Sequence, residues 1–277
     1  MGWFEAILLG LVQGLTEFLP ISSSAHVFIV GQLLGRDDPG AAFTAITQLG
    51  TETAVLVYFF KDIVRIVKHW CLALVGRIPR DDPDARMGWL VILGSIPIVV
   101  LGLVFKDAIE TTLRNLWITV AMLAGVALIM GWFDAHAKHE KTLDKLSWRD
   151  GLIFGLAQAC ALIPGVSRSG GTITAGLAMG YTREAAARYS FLLAIPAVLG
   201  SGFFQLFDIA GDPVPPAWGP IAAATAVAFV VGYAVIAWLL RYVSTHSFRP
   251  FVLYRIGLAG VIVVLLLTGV LQPTMHA

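Results

Sequence analysis

Apolar residues run along this chain in unbroken blocks, without the stripe of a soluble helix or the alternation of a half-buried strand. Six blocks, roughly 41–60, 87–105, 115–133, 185–207, 217–240 and 249–270, approach the length of about 20 residues that a helix needs to cross a bilayer. Two further apolar stretches, roughly 3–34 and 149–179, are interrupted near the middle. The first is cut by Pro20 and Ser22 to Ser24, the second by Pro164-Gly165 and the run Ser167 to Gly171. Proline removes a backbone donor and clashes with the preceding turn, so each stretch is predicted to split into two half-helices. Neither half is long enough to span. Irregular backbone at membrane depth survives only inside protein or along a wet cavity, so both stretches read as re-entrant hairpins. The alternative is one kinked spanning helix with an interfacial helix beside it.

The two hairpins resemble each other. Trp3, Gly10, Gln13, Gly31 and Gly35 reappear 145 positions later as Trp148, Gly155, Gln158, Gly176 and Gly180. This predicts an all-α polytopic membrane protein forming a single membrane domain. It would hold two copies of a hairpin followed by three spans, about 1–133 and 146–272. Three spans are an odd number, so the second copy enters the membrane inverted. Sites in such inverted-topology repeats lie near the midplane, where broken helices meet.

Composition agrees with a membrane protein: 57% of the 277 residues are hydrophobic and 13% are charged, where a soluble domain has about 25% charged. Mean hydropathy is +0.80. The net charge of +1 gives no reason to expect a nucleic-acid partner. Cys71 and Cys160 stand in unlike contexts without metal-ligand spacing, and no structural disulfide is expected. The N-terminus lacks a basic region and carries Glu5, unlike a cleaved signal peptide.

The distribution of charge sets the orientation. With these spans, one side receives segments 61–86, 134–148, 181–184 and 241–248, which carry Lys61, Arg65, Lys68, Arg77, Arg80, Arg86, Lys138, Lys141, Lys145, Arg183 and Arg241. The other side receives Arg36, Lys106 and Arg114. The positive-inside rule then puts both termini outside the cytoplasm. The small-xxx-small pairs, such as Gly10/Gly14 and Gly176/Gly180, read as close packing of hairpin arms, with a homodimer interface as the alternative.

The candidate chemistry sits at the two breaks. An ionisable side chain in a bilayer is costly and is a functional hypothesis by default. Gln13 and Glu17 share a helix face, polar between apolar flanks. Ser22, Ser23 and Ser24 follow Pro20, and one of them is expected to cap a resuming helix. Ser23 and His26 are three apart, a spacing that suits a hydroxyl activated by an imidazole. The second break reads as a helix N-terminus with free amides, an anion site to which Arg168 adds a phosphate-matched fork. Arg168 paired structurally with Glu17 is the plainer alternative. Glu52 either faces the same cavity or reaches water near a helix end. His136, His139 and Glu140 read as a solvated loop, and Glu5 and Asp150 as helix-start anchors.

Gln13-x-x-x-Glu17, Pro20-Ile-Ser-Ser-Ser-Ala-His26, Gln48-Leu-Gly50 and Pro164-Gly-Val-Ser-Arg-Ser-Gly170 together resemble the bacitracin-resistance type of undecaprenyl-diphosphate phosphatase over nearly the whole chain. The resemblance implies an inner-membrane hydrolase that recycles the lipid carrier of peptidoglycan synthesis and takes undecaprenyl diphosphate from the bilayer. It implies catalytic roles for Glu17, Ser23, His26 and Arg168. Gln13, Ser22, Ser24, Gln48, Gln158, Ser167, Ser169 and Gly170 are then expected to hold substrate. A divalent cation, Mg²⁺ or Ca²⁺, is expected at Glu17. Many members have Glu where this chain has Gln13, which puts a two-acid mechanism in doubt here. On this reading His26 is the base, acting on Ser23 or on water, and the site opens to the periplasmic or external face. The rival from another class is a transporter or flippase of a polyprenyl phosphate or other anion, whose architecture would be the same.

Overall fold

The computed structural model describes residues 2–35, 41–210 and 217–274. In chain order the helices are α1 (Trp3–Thr16), α2 (Ser23–Leu33), α3 (Ala41–Tyr58), α4 (Phe60–Leu74), α5 (Pro83–Val104), α6 (Lys106–Glu110), α7 (Leu116–His136), α8 (Trp148–Ala159), α9 (Arg168–Ala178), α10 (Arg183–Ala210), α11 (Trp218–Val243) and α12 (Arg249–Leu267). Among the described residues there is no strand. Five helices, α5, α7, α10, α11 and α12, are long and apolar enough to cross a membrane. The chain is an all-α polytopic membrane protein. The expected sixth span, α3, is not one of the five. It has 18 residues, and its middle is polar, with Thr47, Thr51 and Glu52 buried inside the bundle where α3 packs on α10 and α11.

Both breaks fall where proline chemistry puts them. The missing N–H of Pro20 is the one that Thr16 would have accepted, and α1 ends at Thr16. Pro164 withholds the donor for Cys160, and α8 ends at Ala159 with a single 3-10 turn after it. The half-helices have 14, 11, 12 and 11 residues. At about 1.5 Å per residue none spans a hydrocarbon core of about 30 Å.

The two hairpins exchange partners: α1 lies along α11, and α8 lies along α5. The equivalent glycines make equivalent approaches. A Cβ on Gly10 would meet the backbone of Ala224, and one on Gly155 would come within 2.5 Å of the Gly94 carbonyl oxygen. Backbone cannot yield as a flexible side chain can, so Gly10→Val and Gly155→Val force the helix pairs apart. Each is expected to lower the thermal midpoint in detergent by about 5 °C or more. Unchanged midpoints in a melt followed by light scattering count against this packing.

Segment 61–86, expected to be a loop, begins with a helix. α4 follows α3 with only Phe59 between them and packs on α5. It escapes a search for spans because Lys61, Arg65 and Lys68 interrupt its apolar residues at helical spacing. The segments expected on one side do gather at one end. Arg86 Nη2 donates to the Asp144 carbonyl at 3.0 Å, Thr182 N to the Lys141 carbonyl at 2.9 Å, and Phe248 N to Asp134 Oδ2 at 2.9 Å. Arg36 lies outside the described residues. At the opposite end Leu116 N donates to the Pro273 carbonyl at 2.8 Å. Glu5 accepts from the Gly2 amide at 2.9 Å and Asp150 accepts from the Tyr181 hydroxyl at 2.7 Å, both anchoring helix starts as expected. Cys71 and Cys160 are free thiols. His139 turns both ring nitrogens to the backbone carbonyls of Asp134 and Tyr181.

Candidate active site

Each break delivers one reactive side chain from the same backbone device. Ser22 and Ser167, also 145 positions apart, have φ of 73° and 69°. A left-handed conformation costs a non-glycine residue about 1–2 kcal/mol, so surrounding contacts must hold it. The residue after each serine opens a helix: Ser23 opens α2 and Arg168 opens α9. The serine cap expected among Ser22, Ser23 and Ser24 is absent: Ser22 stands before α2 without a side-chain cap, because its hydroxyl turns to Ser24. In the other break Ser167 Oγ does cap its helix, accepting from the Gly170 amide at 3.1 Å. The Ser22 and Ser24 hydroxyls are 3.2 Å apart, as are those of Ser167 and Ser169. Ser169 Oγ then donates to the Leu19 carbonyl at 3.0 Å and stitches one break to the other.

Glu17 is the point of convergence. Its Oε1 accepts from Arg168 Nη2 at 2.7 Å. Its Oε2 accepts from Gln13 Nε2 at 2.7 Å and from Ser23 Oγ at 2.6 Å. An acid from one break, a guanidinium from the other and a hydroxyl from α2 thus meet on one buried carboxylate. The structural pairing of Arg168 with Glu17 is real, and it leaves Arg168 Nη1 buried with no hydrogen-bond partner among the described residues.

Beneath this cluster lies Arg255 of α12, fully buried. Its Nη1 donates to the Pro20 carbonyl at 3.0 Å and its Nη2 to the Gly165 carbonyl at 2.9 Å, and both reach the Val166 carbonyl at 3.2 Å. Nε donates to the Leu123 carbonyl at 3.0 Å. One guanidinium therefore ties both breaks to α7 and meets carbonyls that broken helices leave without amide partners.

His26 does not meet Ser23, against the expectation from their spacing. Its Nδ1 is 2.7 Å from the Ser22 carbonyl and its Nε2 is 2.7 Å from the Tyr254 hydroxyl. A carbonyl only accepts, so Nδ1 carries the proton, and in the neutral ring Nε2 accepts from Tyr254. Three residues apart on a helix brings two side chains to one face, but it does not turn them toward each other. The Ser23 hydroxyl is directed to Glu17, and the imidazole holds the strained Ser22 carbonyl in place.

Comparison with known proteins decides the family. A model described as "Bacitracin resistance protein BacA" matches residues 6–261. An "Undecaprenyl-diphosphatase" of Renibacterium salmoninarum is 62% identical, over 99% of this chain and 100% of the relative. One of Kineococcus radiotolerans is 66% identical over 98% of this chain and 96% of the relative. An "Undecaprenyl-diphosphatase 2" of Agrobacterium fabrum is 59% identical over 98% of each. The chain belongs to the bacitracin resistance protein BacA family.

In this BacA chain the other expected substrate-binding residues spread around the cluster. Gly170 lies against the guanidinium of Arg255, where a Cβ would come within 2.7 Å of Nη1. Ser24 is exposed and Gln48 is half-buried on α3. Gln158, fully buried on α8, makes no side-chain hydrogen bond among the described residues. Glu52 faces the cluster and not water: it is 0% exposed, and its Oε2 lies 4.0 Å from Arg168 Nη2. Glu17 and the Ser23 hydroxyl offer oxygen donors that suit a hard cation such as Mg²⁺ or Ca²⁺, while Gln13 turns its amide nitrogen to Glu17.

Arg255 and Tyr254 were not singled out from the sequence, although the signal was there. Arg255 is the one charged residue inside the apolar block 249–270, whose first position is Arg249, and the cost that marks Glu17 as functional applies to it equally.

Proposed function

We propose that this chain hydrolyses undecaprenyl diphosphate to undecaprenyl phosphate and inorganic phosphate in a bacterial cytoplasmic membrane, and so recycles the carrier of peptidoglycan synthesis and confers bacitracin resistance. The observation that carries this reading is the meeting of Glu17, Ser23 and Arg168 from two separate breaks. Arg168 binds the terminal phosphoryl oxygens, with Nη1 free to turn to them. The α9 N-terminus adds the favourable end of a helix dipole.

Ser23 Oγ already donates to Glu17, so Glu17 is the base that this geometry favours. In the covalent route Ser23 Oγ bonds to the terminal phosphorus and its proton passes to Glu17. The anhydride P–O bond then breaks and undecaprenyl phosphate leaves. Water next cleaves the phosphoserine to inorganic phosphate. In the direct route Glu17 takes the proton from a water molecule that attacks the same phosphorus. His26 acts in both by fixing Ser22, and through it the start of α2. A divalent cation held at Glu17 supplies neutralisation of phosphate charge. A carrier of lipid phosphate has a use for Arg168 and the helix end, but none for a hydroxyl set against a carboxylate. The gathering of the basic segments at one end supports a site and termini facing the periplasmic or external side.

The test is phosphate release from undecaprenyl diphosphate by detergent-purified protein. Release is expected with Mg²⁺ or Ca²⁺ and is expected to stop with chelator. No release from well-folded protein under any of these conditions rejects the phosphatase. Ser23→Ala separates the two routes: a loss on the order of 10³-fold, with phosphoserine trapped at Ser23 in the unsubstituted protein, establishes the covalent one. Full activity in Ser23→Ala establishes the direct one.

A further inference from the structure

Two carboxylates converge on one guanidinium nitrogen. Glu17 reaches Arg168 Nη2 at 2.7 Å and Glu52 reaches it at 4.0 Å. Their surroundings differ sharply. Glu17 accepts three hydrogen bonds, whereas neither oxygen of Glu52 accepts any among the described residues, although the residue is 0% exposed. A buried carboxylate without donors is among the least favourable arrangements in a protein, unless a proton or a cation compensates it. Arg168 makes its short contact with Glu17 and stands off from Glu52 at 4.0 Å, too far for a hydrogen bond. Arg255 is turned to backbone carbonyls.

The residue at the other candidate position for a second acid is neutral. Gln13 sits one turn before Glu17 and uses its amide to donate to it. It cannot contribute charge. Glu52 approaches the same point from α3, a helix with no part in either break.

We propose that Glu52 is the second carboxylate of this active site and, with Glu17, a ligand of the divalent cation. The assignment rests on the cation dependence proposed above. Two carboxylates from different helices balance a double positive charge and leave the cation's remaining positions to phosphate oxygens. Hard cations take such oxygen donors. The arrangement also explains why a spanning-length helix carries an acid in its buried middle: the charge is placed for the cation and costs the fold when the cation is absent.

The experiment is Mn²⁺ binding to the full detergent-purified chain, read by electron paramagnetic resonance without substrate, for the unsubstituted protein, Glu52→Gln and Gln13→Glu/Glu52→Gln. Glu52→Gln is expected to weaken Mn²⁺ binding on the order of tenfold or more. The double variant returns a carboxylate one turn from Glu17 and is expected to recover most of that affinity. The double variant also guards against misfolding, because a defect of packing at Glu52 is not repaired from Gln13. Unchanged affinity in Glu52→Gln overturns the assignment and means that a proton compensates this acid. A double variant as weak as Glu52→Gln also overturns it, as loss of packing. Absence of Mn²⁺ binding in the unsubstituted protein, where phosphate release persists in chelator, rejects the cation itself and leaves the phosphatase standing.

Discussion

Arg168→Ala is expected to lower phosphate release from undecaprenyl diphosphate by about 10²–10³-fold or more. The reason is geometric. Arg168 opens α9, its guanidinium reaches Glu17 from the opposite break, and among the described residues it is the only side-chain cation hydrogen-bonded to that acid. Lysine restores little. It offers a compact point charge on a flexible stem where the substrate needs a planar fork. The fold should tolerate the change better than the reaction does, because Glu17 keeps its bonds from Gln13 and Ser23. The measurement is the rate of phosphate release alongside the elution profile and thermal midpoint. A well-folded Arg168→Ala protein that releases phosphate within about threefold of the normal rate removes Arg168 from the chemistry.

Arg255→Met is expected to have the largest effect on the fold. The guanidinium donates to the carbonyls of Pro20, Gly165 and Val166 at the two breaks, where the interrupted helices supply no amide, and also to those of Met122 and Leu123 within α7. Each buried acceptor left without a donor costs about 1–3 kcal/mol, so their loss together approaches the whole stability of an ordinary domain. The expected outcome is a protein that elutes as aggregate, or one that melts at least about 10 °C lower and has lost its activity with its structure. Arg255→Lys is expected to be intermediate, since three donors on a flexible stem replace five in a plane. A monodisperse Arg255→Met protein with an unchanged midpoint would mean that the breaks hold themselves without it. The contrast with Arg168 is the useful part. Two arginines stand close together at the same breaks, one serving the substrate and the other serving the backbone.

Much of this was legible in the chain itself. Block length and composition fixed a polytopic helical membrane protein, because the bilayer imposes one length on every span. The positions of Pro20 and Pro164 fixed where two helices stop, because the consequence of a missing amide falls on the carbonyl four residues earlier. The cost of burying charge marked Glu17 and Arg168 as functional without any knowledge of their contacts. Segment 61–86 was the failure of this reasoning: α4 alternates apolar and basic residues on a helical period, and a search for unbroken apolar blocks passes over it.

Direction and pairing lay beyond it. Spacing put Ser23 and His26 on one face of α2, but the partners of each come from elsewhere: Glu17 from α1 for the hydroxyl, Tyr254 from α12 for the imidazole. Spacing equally left Glu52 undecided between cavity and water, since its neighbours α10 and α11 lie more than a hundred residues away in sequence. The sequence by itself determined which groups the membrane makes expensive, because that cost depends on residue type and block length alone. Only the tertiary structure decided which of them share a proton, a charge or a carbonyl. Hydrogen bonds act over about 3 Å and depend on orientation, and those relations are set by how distant helices pack.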